Sequence, residues 1–496
     1  MTAPRTFHNF IAGRWEPPAA GQYLENINPA NQEDRLGYFP ASGPEDIQRA
    51  ITAAAEAYRS WRLTPPPRRA EILFAAGNIL KARKADFARD MTREMGKVLL
   101  EAGGDVQEAI DMLFFMAGEG RRLYGQTTTS ELPDKLCMTT RVPLGVAGLI
   151  TPWNFPMAIP SWKTAPALIC GNTVVLKPAE DAPLSALNWA HALEEAGLPA
   201  GVFNLVMGDG EHAGAPLVRH PHTAIVSFTG SSEVGREVGR EAAAQFKHCN
   251  LEMGGKNAIL VLDDAPLELA LEGAIWGGFG TSGQRCTASS RLIVAKGIYK
   301  RFLDGFLDQA RRLRLGDGLD SGTQVGPVIN AAQLEKIETY VRIGQQEGAR
   351  LRLGGHRYIQ GACARGWFFE PTVFAEVSPR MRIAQEEIFG PVVSVLPCEG
   401  LEDGLEMANG TGYGLSASIY TQNLNAALRA QRELAAGIVY INAPTIGAEV
   451  HLPFGGVKHS GNGHRESGLA TLDVYSEWKT VYVDFSGRLQ RAQIDT

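Results

Sequence analysis

The chain has no uninterrupted apolar run near the roughly 18 residues that a membrane span needs. Its opening stretch, MTAPRTFHNFIAGRWEPP, lacks an apolar core flanked by basic residues. No secretory leader is therefore expected, and a cytoplasmic location is. Cysteine is scarce: Cys137, Cys170, Cys249, Cys286, Cys363 and Cys398 lie far apart, with no CxxC pair. That argues against a disulfide scaffold and against a zinc site. The ten histidines form no HExxH or other close ligand pair, so no metal is expected. Positive charge is in deficit, 48 Lys plus Arg against 54 Asp plus Glu, for a net charge of -6. Without a basic track to follow phosphates, nucleic acid is a poor partner. No repeat at solenoid periods and no polar low-complexity tract is present, so little disorder is expected away from the ends.

What remains is a soluble, globular composition, 44% hydrophobic and 21% charged. At 496 residues the chain is too long for one ordinary core, and two or three domains are expected. From about Pro44 to Gly125 the spacing predicts a helical layer, interrupted at Pro65-Pro66-Pro67. Short apolar runs then follow, GVAGLIT, NTVVLKP, GVFNLVMG, TAIVSFTG and NAILVLDD, separated by helix-like segments. Such alternation predicts a parallel sheet covered by helices. A second α/β region runs from near Ala265 to about Gly468 and contains SRLIVAK and PVVSVLP. Two further β-like pieces, Lys135–Pro143 and Ser476–Phe485, stand outside these blocks. They are free to pair with each other, with another subunit, or with the edges of the main sheets.

Several local patterns suggest chemistry, each weakly on its own. Cys286 sits in GTSGQRCTASSR, a polar, glycine-bracketed run with arginines close by, unlike the apolar surroundings of Cys170. A nearby cation or helix N-terminus would favour its thiolate, although a plain structural cysteine remains open on this segment alone. Asn154 is locked between Pro152 and Pro156 directly after a strand, which suits a fixed oxyanion donor as well as an ordinary turn. Glu252 lies in NLEMGGK, where desolvation would raise its carboxyl toward the range of a general base. In AIVSFTGSSEVGRE a strand gives way to a helix through a glycine-bracketed turn, a geometry that aims backbone N–H groups at an anion. Gly230 and Gly235 stand five apart and do not complete the GxGxxG fingerprint.

WNFP, KPAE, FTGSSEVG, LEMGGKN, GQRC, EEIFGP and PFGGVKHSGNGHRE occur together, in one order, across about three hundred residues. With FIAGRW near the start and the closing β segment, the chain resembles the NAD(P)-dependent aldehyde dehydrogenase superfamily over nearly its whole length. The resemblance implies an α/β fold with two Rossmann-like parallel-sheet domains and a small β oligomerisation arm. It divides the chain into a cofactor domain of 1–125 and 144–254, a catalytic domain of 255–470, and an arm of 126–143 with 471–496. It also implies a nucleophile at Cys286, a general base at Glu252 and an oxyanion donor at Asn154. Ile150, Trp153, Lys177, Glu180, Gly230, Ser231, Gly235, Glu387 and Phe389 then fall at the cofactor. A carboxylate at position 180 favours NAD, since it accepts ribose hydroxyls and repels a 2′-phosphate; Lys177 could tolerate that phosphate, so NADP stays open. The implied reaction turns an aldehyde into an acid through a thiohemiacetal and a thioester, and the presence of Glu252 points to water rather than coenzyme A as acyl acceptor. A homodimer or homotetramer is implied. Two other classes compete: a non-enzymatic structural protein on this fold, against which all three catalytic residues stand, and a cofactor-free thiol hydrolase.

For the substrate, Gly447-Ala448 in APTIGAEVHLPF resembles the loop that grips the distal carboxylate of amino-acid and oxo-acid semialdehydes. Phe454 closes that stretch, and Arg285 is placed either to add a charge-assisted contact or to pair with an acidic neighbour. Semialdehydes of 2-oxoglutarate, aminoadipate or glutamate are the expected candidates, with neutral aliphatic or aromatic aldehydes as the alternative.

Overall fold

The computed structural model describes residues 5–495. Four helices, Pro44–Trp61, Pro66–Ala82, Lys84–Met95 and Leu99–Glu119, make up the N-terminal layer, and Pro65 precedes the second of them. Proline serves a helix start because the missing N–H would have had no intrahelical acceptor there.

Two seven-stranded sheets carry the molecule. In the first, the parallel strands His248–Glu252, Thr223–Thr229, Val146–Thr151, Thr173–Pro178 and Phe203–Leu205 lie side by side in that order. An antiparallel hairpin, Asn9–Ile11 with Arg14–Glu16, extends it. The second places Arg350–Leu353, Thr372–Ala375, Val392–Cys398, Ser289–Ala295, Asn257–Val261, Ser416–Tyr420 and Ile438–Ile441 in order, all parallel except the first. Their buried faces are runs of Val, Ile and Leu, as expected of sheets covered on both sides.

One expectation needs correction. By alternation NAILVLDD reads as the last run of the first block, whereas the resemblance starts the second unit at 255; Asn257–Val261 pairs with Ser289–Ala295 and Ser416–Tyr420 in the second sheet. A short apolar run has no local mark of which sheet will take it. Gly254 and Gly255, between Glu252 and this strand, let the chain pass from one sheet to the other.

The two outlying β segments pair with each other. Ser476–Asp484 runs antiparallel to Lys135–Pro143 over nine residue pairs, and Thr127–Thr129 adds a third strand. Ser476–Asp484 is the outer strand of this small sheet, with Trp478, Tyr482 and the following Phe485 exposed. No helix among the described residues is long and apolar enough to cross a membrane.

Candidate active site

Cys286 follows a short turn in which Thr281, Ser282 and Gly283 all have positive φ, at 51°, 54° and 69°. A left-handed non-glycine residue costs roughly 1–2 kcal/mol, so two in succession must be held in place. Glu101, on the helix Leu99–Glu119, accepts the Thr281 N–H at 2.9 Å. Ser282 Oγ donates to Gly326 O at 2.7 Å. The Gln284 side chain bridges Thr281 O, Pro327 O and the Ile329 N–H. On the far side of the thiol, Asn257 Nδ2 donates to Cys286 O at 2.8 Å and to Ala288 O at 3.0 Å. The Cys286 backbone is thus held from the helix Leu99–Glu119, from the segment 326–329 and from the strand Asn257–Val261.

The arginines beside Cys286 do not activate it, contrary to what their proximity in sequence suggests. The Arg285 guanidinium pairs with Glu101 at 3.1 Å, and its Nε donates to Thr281 Oγ1 at 2.9 Å. Of the two readings of Arg285, the ion pair is the one the structure contains. Arg291 turns away to the carbonyls of Lys256, Met407 and Ala408. Burial, and then the charges of Glu387 and Glu252, push the Cys286 thiol up to about 12.

A cleft of about 190 Å³ opens onto Cys286 and is lined by Trp153, Asn154, Gly230, Ser231, Glu387 and Phe389 among others. Seven of the expected residues, counting Cys286, therefore meet in one cavity. Asn154 is buried, and its Nδ2 donates to Gln284 O at 3.0 Å, which leaves the second N–H of the amide for another acceptor. Trp153 and Phe389 meet edge to face, their ring centroids 5.4 Å apart. Phe389 has φ 61°, another left-handed residue at the site. Glu387 accepts the Gly255 N–H at 2.9 Å.

Ser231 caps the helix Ser232–Ala243, its Oγ accepting the Val234 N–H. This helix is long enough to present free N–H groups and a positive end to a pyrophosphate in the cleft. Gly230 and Gly235 are small for internal reasons: a Cβ would meet the Phe228 ring at 2.4 Å and Met253 Sδ at 2.4 Å, respectively. The buried Thr229 Oγ1, at the same turn, has no protein partner. Lys177 lies farther along the sheet's carboxyl edge, where its Nζ donates to Gly208 O at 2.9 Å and stands 3.6 Å from the exposed Glu180 carboxylate. Ile150 and the Lys177 stem both border Gly214. An open cleft, a free helix end, an unpartnered hydroxyl and a carboxylate at the strand end together fit a dinucleotide.

Glu252 ends its strand with both carboxylate oxygens buried and no side-chain partner, the Gly456 N–H being the backbone donor turned toward it. Burial first, and the charge of Glu466 next, hold its carboxyl well above the usual range, against the pull of Lys163 and Arg465. The loop PFGGVKHSGNGHRE lies along this strand: Met253 N–H donates to Ser460 O, and Asn462 bonds both Leu251 N–H and Cys249 O. That loop delivers Glu466, whose carboxylate is ion-paired with Lys163.

On the opposite side, the segment Asn442–Pro453 is fastened to the catalytic turn through Thr445, whose Oγ1 donates to Thr287 O at 2.6 Å. Gly447 has φ +113° and open space where a side chain would be. Ala448, Val450 and Cys286 pack against the same apolar cluster, which includes Phe454, itself edge-on to Trp162 at 4.9 Å. The sequence reading missed Glu101, Asn257 and Thr445. Asn257 sits inside the LEMGGKN motif, but only its hydrogen bonds reveal a clamp on Cys286.

The sequence pattern of the aldehyde dehydrogenase family matches residues 15–481. The chain is 44% identical to an alpha-ketoglutaric semialdehyde dehydrogenase of Bacillus subtilis, over 97% of this chain and 99% of that one. It is 39% identical to a 2,5-dioxopentanoate dehydrogenase of Saccharolobus solfataricus, over 95% and 98%. A crystal structure of betaine aldehyde dehydrogenase from Staphylococcus aureus in complex with NAD+ superposes with a TM-score of 0.95 at 35% identity, covering 97% of this chain and 96% of that one. Fold and site thus define an oxidoreductase built on two parallel-sheet units. The chain belongs to the aldehyde dehydrogenase family.

Proposed function

We propose that this enzyme oxidises an ω-carboxylated semialdehyde to the corresponding acid with NAD, 2-oxoglutarate semialdehyde being the leading candidate. The observation that carries the reading is the convergence of Cys286 and Asn154 in the dinucleotide-fitting cleft, with the buried Glu252 directly before Met253 and Gly254 of its lining. Cys286 attacks the aldehyde carbon, and the oxyanion is received by the free Asn154 N–H and the Cys286 backbone N–H. Trp153 and Phe389, beside Cys286 in the cleft, would hold a nicotinamide, which would supply the hydride acceptor. Glu252 takes the proton of the water that hydrolyses the Cys286 thioester, a role for which its raised carboxyl is suited. Because burial disfavours the Cys286 thiolate, its activation requires a proton acceptor at the site, and Glu252 is the nearby group free of side-chain partners.

The cofactor assignment rests on Ile150, Trp153, Lys177, Glu180, Gly230, Ser231, Gly235, Glu387 and Phe389, and the Glu180 carboxylate favours NAD over NADP. The semialdehyde reading is supported by the names of the two relatives above and by the left-handed Gly447 beside Ala448, tied to the catalytic turn through Thr445. Phe454 and Ala448 form the apolar side of this pocket, and Arg285, paired with Glu101, stabilises the turn that carries Cys286. The cofactor unit is taken as 1–125 with 144–254, the catalytic unit as 255–470 and the arm as 126–143 with 471–496. The exposed outer strand Ser476–Asp484 supports assembly into a homodimer or homotetramer in the cytoplasm, and light scattering on the eluted protein checks the mass.

The test is formation of reduced nicotinamide with NAD across 2-oxoglutarate semialdehyde, betaine aldehyde and neutral aldehydes of similar length. Preference for the carboxylated aldehyde, lost together with all oxidation in Cys286→Ala, is expected. Equal rates with neutral aldehydes would remove the carboxylate anchor, and oxidation surviving in Cys286→Ala would remove the thiol mechanism.

A further inference from the structure

Beneath Glu252 lies a buried polar cluster that the reaction above does not use. Ser227 and Asn250 are register partners on adjacent parallel strands, as are Thr229 and Glu252 two residues on. Two residues along a strand is about 6.6 Å on the same face, so Ser227 and Asn250 sit one step below the base. There they meet Glu466. Its Oε1 accepts from Asn250 Nδ2 at 2.7 Å, from Ser227 Oγ at 3.3 Å and from Lys163 Nζ. Lys163 also donates to Ser227 Oγ at 2.8 Å, so the hydroxyl bridges the ion pair. All four side chains are essentially removed from water.

Two neutral donors at this depth need a reason, because the Lys163–Glu466 pair is already complete without them. Their geometry supplies it. Both converge on the single oxygen of Glu466 that Lys163 also holds, and this fixes where the negative charge sits relative to Glu252. We propose that Ser227 and Asn250 are positioning residues for the general base: they hold the Glu466 carboxylate below Glu252 and thereby set the pH at which Glu252 begins to accept a proton. The inference rests on Glu252 being the base of the proposed reaction. The charges facing Glu252 are Glu466, Lys163, Arg465 and, across the cleft, Cys286. Those facing the lower cluster are Tyr475, beside Glu466, and Cys249, beside Lys163.

The sign follows from the charges. Glu466 disfavours ionisation of Glu252. Removing a donor leaves the Glu466 oxygen to Lys163, whose ammonium then offsets the carboxylate's charge more closely. Glu252 then feels less negative charge and ionises at lower pH.

The experiment follows the acyl-enzyme alone, without an aldehyde or cofactor. Cys286 is acetylated with 4-nitrophenyl acetate, excess reagent is removed, and loss of the acetyl group is followed by mass spectrometry across pH. In Glu466→Gln, which deletes the charge, the acid limb of the deacylation profile is expected to move down by one pH unit or more, about tenfold faster hydrolysis at a fixed pH on that limb. Asn250→Leu and Ser227→Ala are expected to move it in the same direction by less, with the rate at the alkaline plateau unchanged. Ser227→Ala removes one oxygen and keeps the test open if Asn250→Leu does not fold. Profiles of these two variants that superimpose on the wild type, or that fall equally at every pH, overturn the inference. Glu252→Gln separates the two proposals: if its acetyl-enzyme hydrolyses like the wild type, the base assignment itself fails.

Discussion

Replacing Gly254 by alanine isolates what Glu387 contributes to the cofactor site. Gly254 has an ordinary backbone conformation, so a methyl group there adds no φ strain. Its Cβ would fall 2.2 Å from Glu387 Oε2, 2.5 Å from Cδ and 2.6 Å from Oε1. Everything it meets is thus the end of one side chain, and the carboxylate must retreat by roughly 1 Å to reach ordinary van der Waals contact. That movement breaks the 2.9 Å bond from the Gly255 N–H, which holds Glu387 against the cleft. The same retreat withdraws the carboxylate from a bound cofactor, and a hydrogen bond to a charged group contributes about 1.5–3 kcal/mol, or about 10- to 150-fold in affinity. The expected result for Gly254→Ala is NAD affinity weakened by that factor, by calorimetric titration, with the thermal midpoint lowered only modestly by loss of the Gly255 bond because a flexible side chain absorbs the clash. A dissociation constant within twofold of the wild type would refute the assignment of Glu387 to the cofactor. A large drop in melting temperature would instead show that the segment cannot shift as argued.

The thiol gives a second prediction. With its ionisation pushed up to about 12 by burial and by Glu387 and Glu252, the cofactor-free enzyme holds almost no thiolate at neutral pH. Its inactivation by iodoacetamide should accelerate about tenfold per pH unit through pH 9 with no plateau, and levelling off below pH 8 would contradict the buried, negatively flanked environment. Asn257→Ala removes the donor to the Cys286 and Ala288 carbonyls and the acceptor for the Ser416 N–H. Each buried group left unpaired costs about 1–3 kcal/mol, so the urea midpoint should fall and kcat should drop at least tenfold with KM for NAD held. Unchanged kcat would mean that Glu101 and Gln284 alone suffice to aim the nucleophile.

Much of the site was legible in the sequence because its parts are local. WNFP stiffens a strand end whatever surrounds it, and FTGSSEVG makes a strand, a capped turn and a helix from its own residues. Cys286, Asn154, Trp153 and Phe389, candidates drawn from motifs a few residues long, do meet in one cleft. The helical layer and the alternation of strands and helices were likewise visible, since the 3.6-residue and strand patterns are properties of short windows.

Other features were decided only when distant segments met. Whether Asn257–Val261 joined the first sheet or the second depended on its partners, and burial on both faces erases the alternation that would have marked a side. Arg285 looked like an activator of Cys286 from its place in the chain, but Glu101, from a helix some 180 residues earlier, takes its charge. The same holds for the base: the sequence supplied a carboxylate in an apolar context, and the fold then laid Glu466 and Lys163 beneath it. Residue type, short spacing and the family resemblance together named the candidate groups. The electrostatic state of each depends on charges and solvent exclusion over several ångströms, and those distances exist only in the folded chain.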